Sequence, residues 1–166
     1  MTPANEATVT RNETTFATPS DLELVITRTF DAPRSLVWSA FTDPKHVPHW
    51  QTGPEGFTMP VCEIDLRTGG TWRYVWRNVH GREFTASGIY REVTPEERIV
   101  IVSTRDGEEN TNTTVFADEG GRTVVTATLR FASKASRDHA VPYAKGGTAS
   151  SYARLDAYLA SVQRPA

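Results

Sequence analysis

The chain has 166 residues, of which 38% are hydrophobic and 23% are charged, a balance typical of a soluble protein with one hydrophobic core. Its formal net charge of −2 argues against nucleic acid and anionic membrane surfaces as partners. The single cysteine, Cys62, excludes an internal disulfide and a zinc site built from several cysteines.

The N-terminal segment, residues 1–20, is rich in Thr, Asn, Glu and Pro. It has neither the basic stretch nor the apolar stretch of a secretory signal, and no aliphatic run in the chain is long enough to cross a bilayer. We therefore expect a cytoplasmic protein with a flexible tail over 1–20 and a single domain over 21–166. Phe16 is the exception in the tail, and it could hold part of the tail against the domain.

The predicted elements begin with a β-branched strand over 22–30. Asp-Ala-Pro at 31–33 ends this strand and caps a short helix, because proline suits the first helical turn. Asp-Pro at 43–44 repeats this pattern of a capping residue followed by proline, and it predicts a second short helix over 44–50. The first helix has one apolar face, formed by Val37, Ala40 and Phe41.

The middle of the chain has a period of two residues, separated by short turns, which favours antiparallel strands. Six strands are predicted, over 57–66, 71–77, 82–93, 98–104, 111–118 and 122–131. The spacing then becomes helical, first over 133–141, where Pro142 stops or kinks the helix. A longer C-terminal helix follows, with an apolar face of Thr148, Tyr152, Leu155, Leu159 and Val162.

This order predicts an α+β fold, in which a seven-stranded antiparallel sheet has one apolar face to bury. The C-terminal helix is the only predicted element long enough to cover that face. We expect Leu155 and Leu159 to be buried against the sheet. A space between a curved sheet and one helix is therefore the candidate functional site.

Several segments of the sequence carry a resemblance to a known family. They are TRTFDAPRSLVWSAFTDPKHVPHW, GPEGFT, CEIDLRTGGTWRYVWR, GIYREVTPEERIV and YARLDAYLA. Together they resemble bacterial proteins of the heat-shock-chaperone ATPase-activator-like family, over about residues 20–162. That family belongs to the START/birch-pollen-allergen superfamily, also called SRPBCC or polyketide-cyclase-like.

The resemblance implies a helix-grip fold: a curved seven-stranded antiparallel sheet around a long C-terminal helix, with two short helices between the first two strands. Superfamily relatives bind lipids, steroids, flavonoids or polyketides, and some cyclise or hydrate them. The eukaryotic namesake domain binds a chaperone. Because one fold hosts many functions, the resemblance alone does not decide among these activities.

The sequence departs from the family pattern at two places. Relatives often have a second Trp directly after the one that matches Trp50, whereas this chain has Gln51 followed by Thr52. Relatives also often have Gly followed by Trp or Met at the start of the final helix, where this chain has Gly147-Thr148. The resemblance therefore implies a roomier or more polar cavity than usual.

An aromatic set on two adjacent strands is the strongest functional signal. Large rings in phase on one face suit the wall of a cavity for an apolar or aromatic ligand. Ordinary core packing is an equal alternative for Trp72, and RNA stacking is a rival that the acidic balance disfavours. The predicted pocket wall comprises Trp50, Trp72, Tyr74, Trp76, Phe84, Tyr90, Thr148 and Tyr152.

Residue types that often carry chemistry have structural interpretations here. His46 and His49 have a spacing that can hold a metal, but no third ligand is evident, so helix-end histidines are expected. Cys62 falls on an apolar strand face and is expected to be a buried small hydrophobe. Glu63 and Asp65 point away from that face and are expected to pair with Arg73 or Arg77 instead of forming an acid–base pair. We predict no catalytic residue, no metal and no cofactor.

Three functions follow from these observations. The leading hypothesis is a module that binds a small hydrophobic or aromatic molecule between the sheet and the C-terminal helix. One alternative is a cyclase or hydratase acting on a polyketide-like or lipid-like substrate, which the lack of a recognisable acid–base pair disfavours. The other is a chaperone-interacting module, which the lack of a further chaperone-binding domain disfavours. A homodimer remains open.

Overall fold

The computed structural model describes residues 13–105 and 107–163, and it confirms the predicted α+β class. All strands belong to one antiparallel sheet, and the helices lie before β3 and after β8. The strands are β1 (Thr15–Ser20), β2 (Glu23–Phe30), β3 (Thr58–Ile64), β4 (Thr71–Arg77), β5 (Glu83–Thr94), β6 (Arg98–Arg105), β7 (Glu108–Glu119) and β8 (Arg122–Arg130). The helices are α1 (Arg34–Thr42), α2 (Lys134–Tyr143) and α3 (Ala149–Val162).

The sheet has eight strands in the order β1-β2-β8-β7-β6-β5-β4-β3, one more than predicted. The additional strand is β1, which pairs antiparallel with β2 and packs Phe16 against the core. The prediction of a flexible tail is therefore wrong for residues 15–20, while residues 1–12 lie outside the described part of the chain. An edge strand with one partner needs little apolar surface and tolerates Pro19, so its composition is that of a tail.

The corner between β2 and β3 has the predicted position with different details. Pro33 itself occupies the N-cap of α1, and its carbonyl accepts the first backbone hydrogen bonds of the helix. The Thr123 hydroxyl donates to the Ala32 carbonyl at 2.8 Å, which ties the corner to β8. The second predicted helix is a single 3₁₀ turn, Val47–His49. Pro48 lies inside this turn and has no N–H with which to extend it.

The C-terminal helical segment is interrupted by a π-helical turn over Ala144–Thr148. The sequence predicted that Pro142 either stops or kinks the preceding helix. Pro142 lies inside α2 and therefore does not stop it. Pro142 has no backbone N–H to donate, and the wider π-helical turn begins two residues later. This turn also contains Gly146 and Gly147. None of the helices in the described ranges is long and apolar enough to span a membrane.

The core lies between the inner face of the sheet and the helices α1 and α3. Alternate residues of β2 point inward and are buried, as the period of two requires. From α3, Leu155 is 0% exposed and Leu159 is 2% exposed, which confirms their predicted burial, whereas the assignment of Val162 to the same face is wrong, since it is 42% exposed in the last turn. Arg28 is the charged member of the β2 set, and it forms an ion pair with Asp156 of α3. The Arg28 guanidinium also donates to the Thr14 hydroxyl at 2.8 Å.

Leu159→Ala tests the packing of α3 on the sheet. Because Leu159 is buried, we expect the substitution to lower the free energy of unfolding by about 2–5 kcal/mol, measured by urea denaturation. Val162→Ala is the matched control, since Val162 is 42% exposed on the same helix. Equal effects of the two substitutions would contradict the assigned buried face.

Candidate functional site

A cavity of about 600 Å³ lies between the inner face of the sheet and the C-terminal helical segment. Its lining includes residues of β2 and of β4, which are separated in the sheet by four other strands. The sheet must therefore curve around the cavity. All the residues predicted for the pocket wall line this cavity: Trp50, Trp72, Tyr74, Trp76, Phe84, Tyr90, Thr148 and Tyr152.

The rings of β4 form a continuous wall. The centroids of Trp72 and Tyr74 lie 5.0 Å apart, and those of Tyr74 and Trp76 lie 5.7 Å apart at an interplanar angle of 83°. Such edge-to-face and tilted contacts hold aromatic rings in fixed positions. The wall is thus held in place by contacts between its own rings.

Two of the predicted wall residues have positions that the sequence did not specify. Trp50 is fully buried, and its indole N–H donates to the Ala40 carbonyl at 2.8 Å, so it anchors the 3₁₀ turn to α1. Phe84 is 38% exposed and lies 5.9 Å from Phe57, centroid to centroid. Phe84 therefore belongs to the rim of the cavity, whereas Trp50 belongs chiefly to its structural base.

Gly88 in the middle of β5 makes room for the indole of Trp72. A Cβ atom at this position would lie 2.1 Å from the Val102 carbonyl oxygen and 2.9 Å from Trp72 Nε1. No side chain can be accommodated there without movement of the backbone. The sequence signal was an isolated glycine inside a strand pattern, which indicates close approach of other atoms.

The loop that follows Trp50 is tied to α3 by Arg154. The guanidinium donates to the Trp50 carbonyl at 2.9 Å, to the Thr52 hydroxyl at 2.6 Å and to the Gly53 carbonyl at 2.8 Å. The Gly53 N–H donates to the Ser151 hydroxyl at 2.9 Å. The sequence does not indicate this role for Arg154, because the contacts join residues about a hundred positions apart in the chain.

The same loop forms one side of the cavity mouth. The Gln51 carbonyl accepts a hydrogen bond from the indole N–H of Trp76 at 2.8 Å. Gly147 of the π-helical turn lies close to Pro54 of the same loop, since a Cβ atom on this glycine would lie 3.8 Å from the proline ring. Gln51 and Thr148, the two departures from the family pattern, both line the cavity. The mouth is therefore bordered by the loop and by the π-helical turn.

The lining of the cavity carries no Asp, Glu, Lys, Arg or His within the described residues. Its polar groups are neutral and include Ser103, Asn112 and Thr114. Tyrosine phenols are protonated at neutral pH, and burial raises the pKa of Tyr74 and of Tyr90 further. The cavity thus offers apolar surface and neutral hydrogen-bonding groups.

A second depression, of about 700 Å³, lies on the outer side of the C-terminal helical segment. It is the larger of the two, but it is open to solvent and is bordered by the charged residues Glu55 and Arg154. The Arg154 guanidinium already donates hydrogen bonds to the neighbouring loop. The inner cavity, which is enclosed on several sides, is therefore the better candidate for a binding site.

The residues considered as metal ligands or as an acid–base pair do not line the cavity. His46 Nδ1 lies 2.5 Å from the Tyr158 hydroxyl, and the ring of His49 stacks on Tyr158. Nowhere in the described residues do three or more His, Cys, Asp or Glu side chains come close enough to hold a metal ion. The predicted pair of Glu63 with Arg73 is confirmed on the outer face, at 3.4 Å.

The other two members of the predicted outer-face set have different partners. Asp65 pairs with Arg67 at 2.9 Å, and Arg77 pairs with Glu83 at 2.6 Å. All of these side chains are substantially exposed, so each pair contributes about 0–1 kcal/mol. The outer face of β3 and β4 is therefore a solvated surface with ordinary ion pairs.

Comparison with known families decides the affiliation of the chain. The model of the family described as "Activator of Hsp90 ATPase homolog 1-like protein" matches residues 31–160. The chain belongs to this family. The match covers α1, the cavity lining from β3 to β8 and nearly all of α3, and it confirms the resemblance seen in the sequence. A search of curated proteins found no match.

Solved structures show the same fold. A crystal structure of a protein from Rhodobacter sphaeroides is 26% identical, with a TM-score of 0.84, and the match covers 90% of this chain and 99% of that one. A protein from Nitrosomonas europaea is 22% identical, with a TM-score of 0.79 and coverage of 88% and 99%. A protein from Mycobacterium smegmatis is 23% identical, with a TM-score of 0.78 and coverage of 88% and 96%. These three proteins thus share the fold of this chain.

Arg154→Met tests the connection between α3 and the loop. The substitution keeps the apolar stem but removes the donors to three loop oxygens, so we expect a loss of about 1–3 kcal/mol in the free energy of unfolding. We also expect faster amide hydrogen exchange over residues 50–53. Arg91→Met is the control, because its pair with Glu109 is exposed and should contribute little. Unchanged exchange in the loop would contradict the proposed connection.

Cys62 gives a prediction about pH. Burial, with the nearby carboxylates of Asp43 and Glu63, raises the pKa of its thiol to about 11. Because the thiolate is the reactive form, the rate of alkylation by iodoacetamide should increase about tenfold per pH unit from pH 7 to 10. A rate that levels off below pH 10 would show that the thiol has an ordinary pKa.

Proposed function

We propose that this protein binds a small, uncharged hydrophobic or aromatic molecule in the cavity between the sheet and the C-terminal helical segment. The observation that carries the proposal is a cavity of about 600 Å³ whose lining, within the described residues, has no charged side chain. This volume lies within the range of small-molecule sites, about 300–1,000 Å³. Burying an ion in such a lining without a partner would be costly.

The position of Thr148 supports the proposal. Thr148 ends the π-helical turn and lines the cavity together with Tyr74 and Trp76 of the sheet. A small hydroxyl here leaves room that a larger residue would occupy. Apolar space left empty costs about 24 cal/mol per Å³, which favours an occupant.

The two other functions have less support. A cyclase or hydratase needs groups that transfer protons near neutral pH, and the described lining offers neutral tyrosines whose pKa values are raised. The description of the family refers to activation of the Hsp90 ATPase, which would require an exposed interaction surface. The most distinctive feature of the described residues is the internal cavity, and a cavity favours binding of a small ligand over binding of a protein partner.

Thr148→Trp tests whether the cavity binds ligand. The indole should fill the cavity, weaken the binding of the neutral dye N-phenyl-1-naphthylamine at least about tenfold, and raise the free energy of unfolding by about 0.5–2 kcal/mol. Binding is measured by the increase in dye emission. Ala153→Trp is the control, because Ala153 is exposed on the outer side of α3 and lines only the outer depression among those described.

Trp76→Ala provides a contrasting variant in the same assay. It removes part of the wall and the hydrogen bond to the Gln51 carbonyl, so dye binding and stability should both decrease. If Thr148→Trp binds the dye as tightly as the wild type, Thr148 does not border the site. The assignment of this cavity as the binding site would then be wrong.

A further inference from the structure

Two phenol groups in the cavity wall have no hydrogen-bond partner in the described part of the chain. Tyr74 is 6% exposed and Tyr90 is 1% exposed, and both line the cavity. Buried polar groups in folded proteins nearly always have a partner, so each exception requires an explanation. Neither hydroxyl oxygen is among the unpaired side-chain atoms that are completely buried in the described residues, so each keeps some accessible surface. Both hydroxyls therefore border the cavity.

The neighbours of the Tyr74 ring are aromatic, and among the described residues no hydrogen bond joins either phenol to the polar groups of the lining. Tyr74 is packed between Trp72 and Trp76, whose ring centroids lie 5.0 Å and 5.7 Å away. The sulfur of Cys62, a weak acceptor, lies near enough to influence the titration of both phenols. A phenol is protonated at neutral pH, and burial raises the pKa of both Tyr74 and Tyr90 further, so each presents an O–H donor.

We propose that the hydroxyls of Tyr74 and Tyr90 form a hydrogen-bonding site for an acceptor oxygen of the ligand, which is a neutral, flat, largely apolar molecule with a carbonyl or similar group. The inference rests on the proposed function and adds the chemical class of the ligand. A carboxylate or phosphate does not fit, because the described lining supplies no cation to neutralise it. A pure hydrocarbon does not fit either, because it would leave both donors without a partner.

The proposal has a consequence for the ligand-free protein. A hydroxyl that serves the fold is hydrogen-bonded within the protein, and its removal destabilises the folded state. A hydroxyl that serves a ligand has no such bond, and its removal should leave the ligand-free protein equally stable or more stable. Tyr→Phe substitutions at positions 74 and 90 therefore separate the two roles, since they remove one oxygen atom and preserve the ring.

The test uses the full chain and two dyes that differ at one position. The first is 6-propionyl-2-(dimethylamino)naphthalene, which is neutral and has a carbonyl group. The second is its 6-propyl analogue, in which that carbonyl is a methylene group. Binding of each dye is measured by quenching of protein tryptophan fluorescence, for the wild type, Tyr74→Phe, Tyr90→Phe and the double variant. Tyr158→Phe is the control, because the Tyr158 hydroxyl bonds to His46 outside the cavity.

We expect the wild type to bind the propionyl dye more tightly than the propyl analogue. The double variant should bind the propionyl dye at least about tenfold more weakly, with less than about a twofold change for the propyl analogue. The emission of the bound propionyl dye should shift to shorter wavelength in the double variant, because its carbonyl loses a hydrogen bond. The Tm of the ligand-free variants should equal or exceed that of the wild type.

Three results would overturn the inference. The first is an equal loss of affinity for both dyes, and the second is no loss for either dye; the proposed function would survive both. The third is a clear decrease in Tm for ligand-free Tyr74→Phe and Tyr90→Phe, which would assign the hydroxyls to the fold. If neither dye binds the wild type at all, the proposed function fails as well.

Discussion

The structure depends on one constraint: the short helix α1 and the C-terminal helical segment together have to cover the inner face of an eight-stranded sheet. The sheet curves so far that β2 and β4 border the same space, although four strands separate them. Leu155 and Leu159 fill the part of this space nearest to α3. The remainder is the cavity, and the aromatic rings of β4 form part of its wall. The cavity is therefore a consequence of the architecture, and the side chains around it determine what it accepts.

Arg28 and Arg154 bring charge toward the interior, and both are engaged at its borders. Arg28 is buried on the inner face of β2, where Asp156 and Thr14 bind its guanidinium. Removing one partner of a buried ion pair leaves the other charge without compensation. This loss destabilises the fold more than the intact pair stabilises it. Arg154 uses its donors on the loop at the cavity mouth. The charges thus organise the surroundings while the lining remains neutral, which is the basis for expecting an uncharged ligand.

Much of this arrangement could be predicted from local patterns. The period of two placed Tyr74 and Trp76 on one face, and helical spacing placed Leu155 and Leu159 on another, because each element must bury its apolar side. The strand β1 could not be predicted, because an exposed edge strand has the composition of a tail. The role of Arg154 could not be predicted either, since its partners lie about a hundred residues away in the chain. Phe84 was assigned to the wall, but its depth in the cavity depends on the curvature of the sheet, which periodicity does not contain.

The central claim is that the inner cavity, and not the outer depression, is the binding site for a neutral molecule. A crystal structure of the wild-type protein grown with 6-propionyl-2-(dimethylamino)naphthalene tests it most directly. The account predicts the naphthalene rings between Thr148 and Trp76, with the carbonyl oxygen within hydrogen-bonding distance of the Tyr74 or Tyr90 hydroxyl. Dye bound only in the outer depression between Pro54 and Tyr143, with the inner cavity closed by its own side chains, would contradict it.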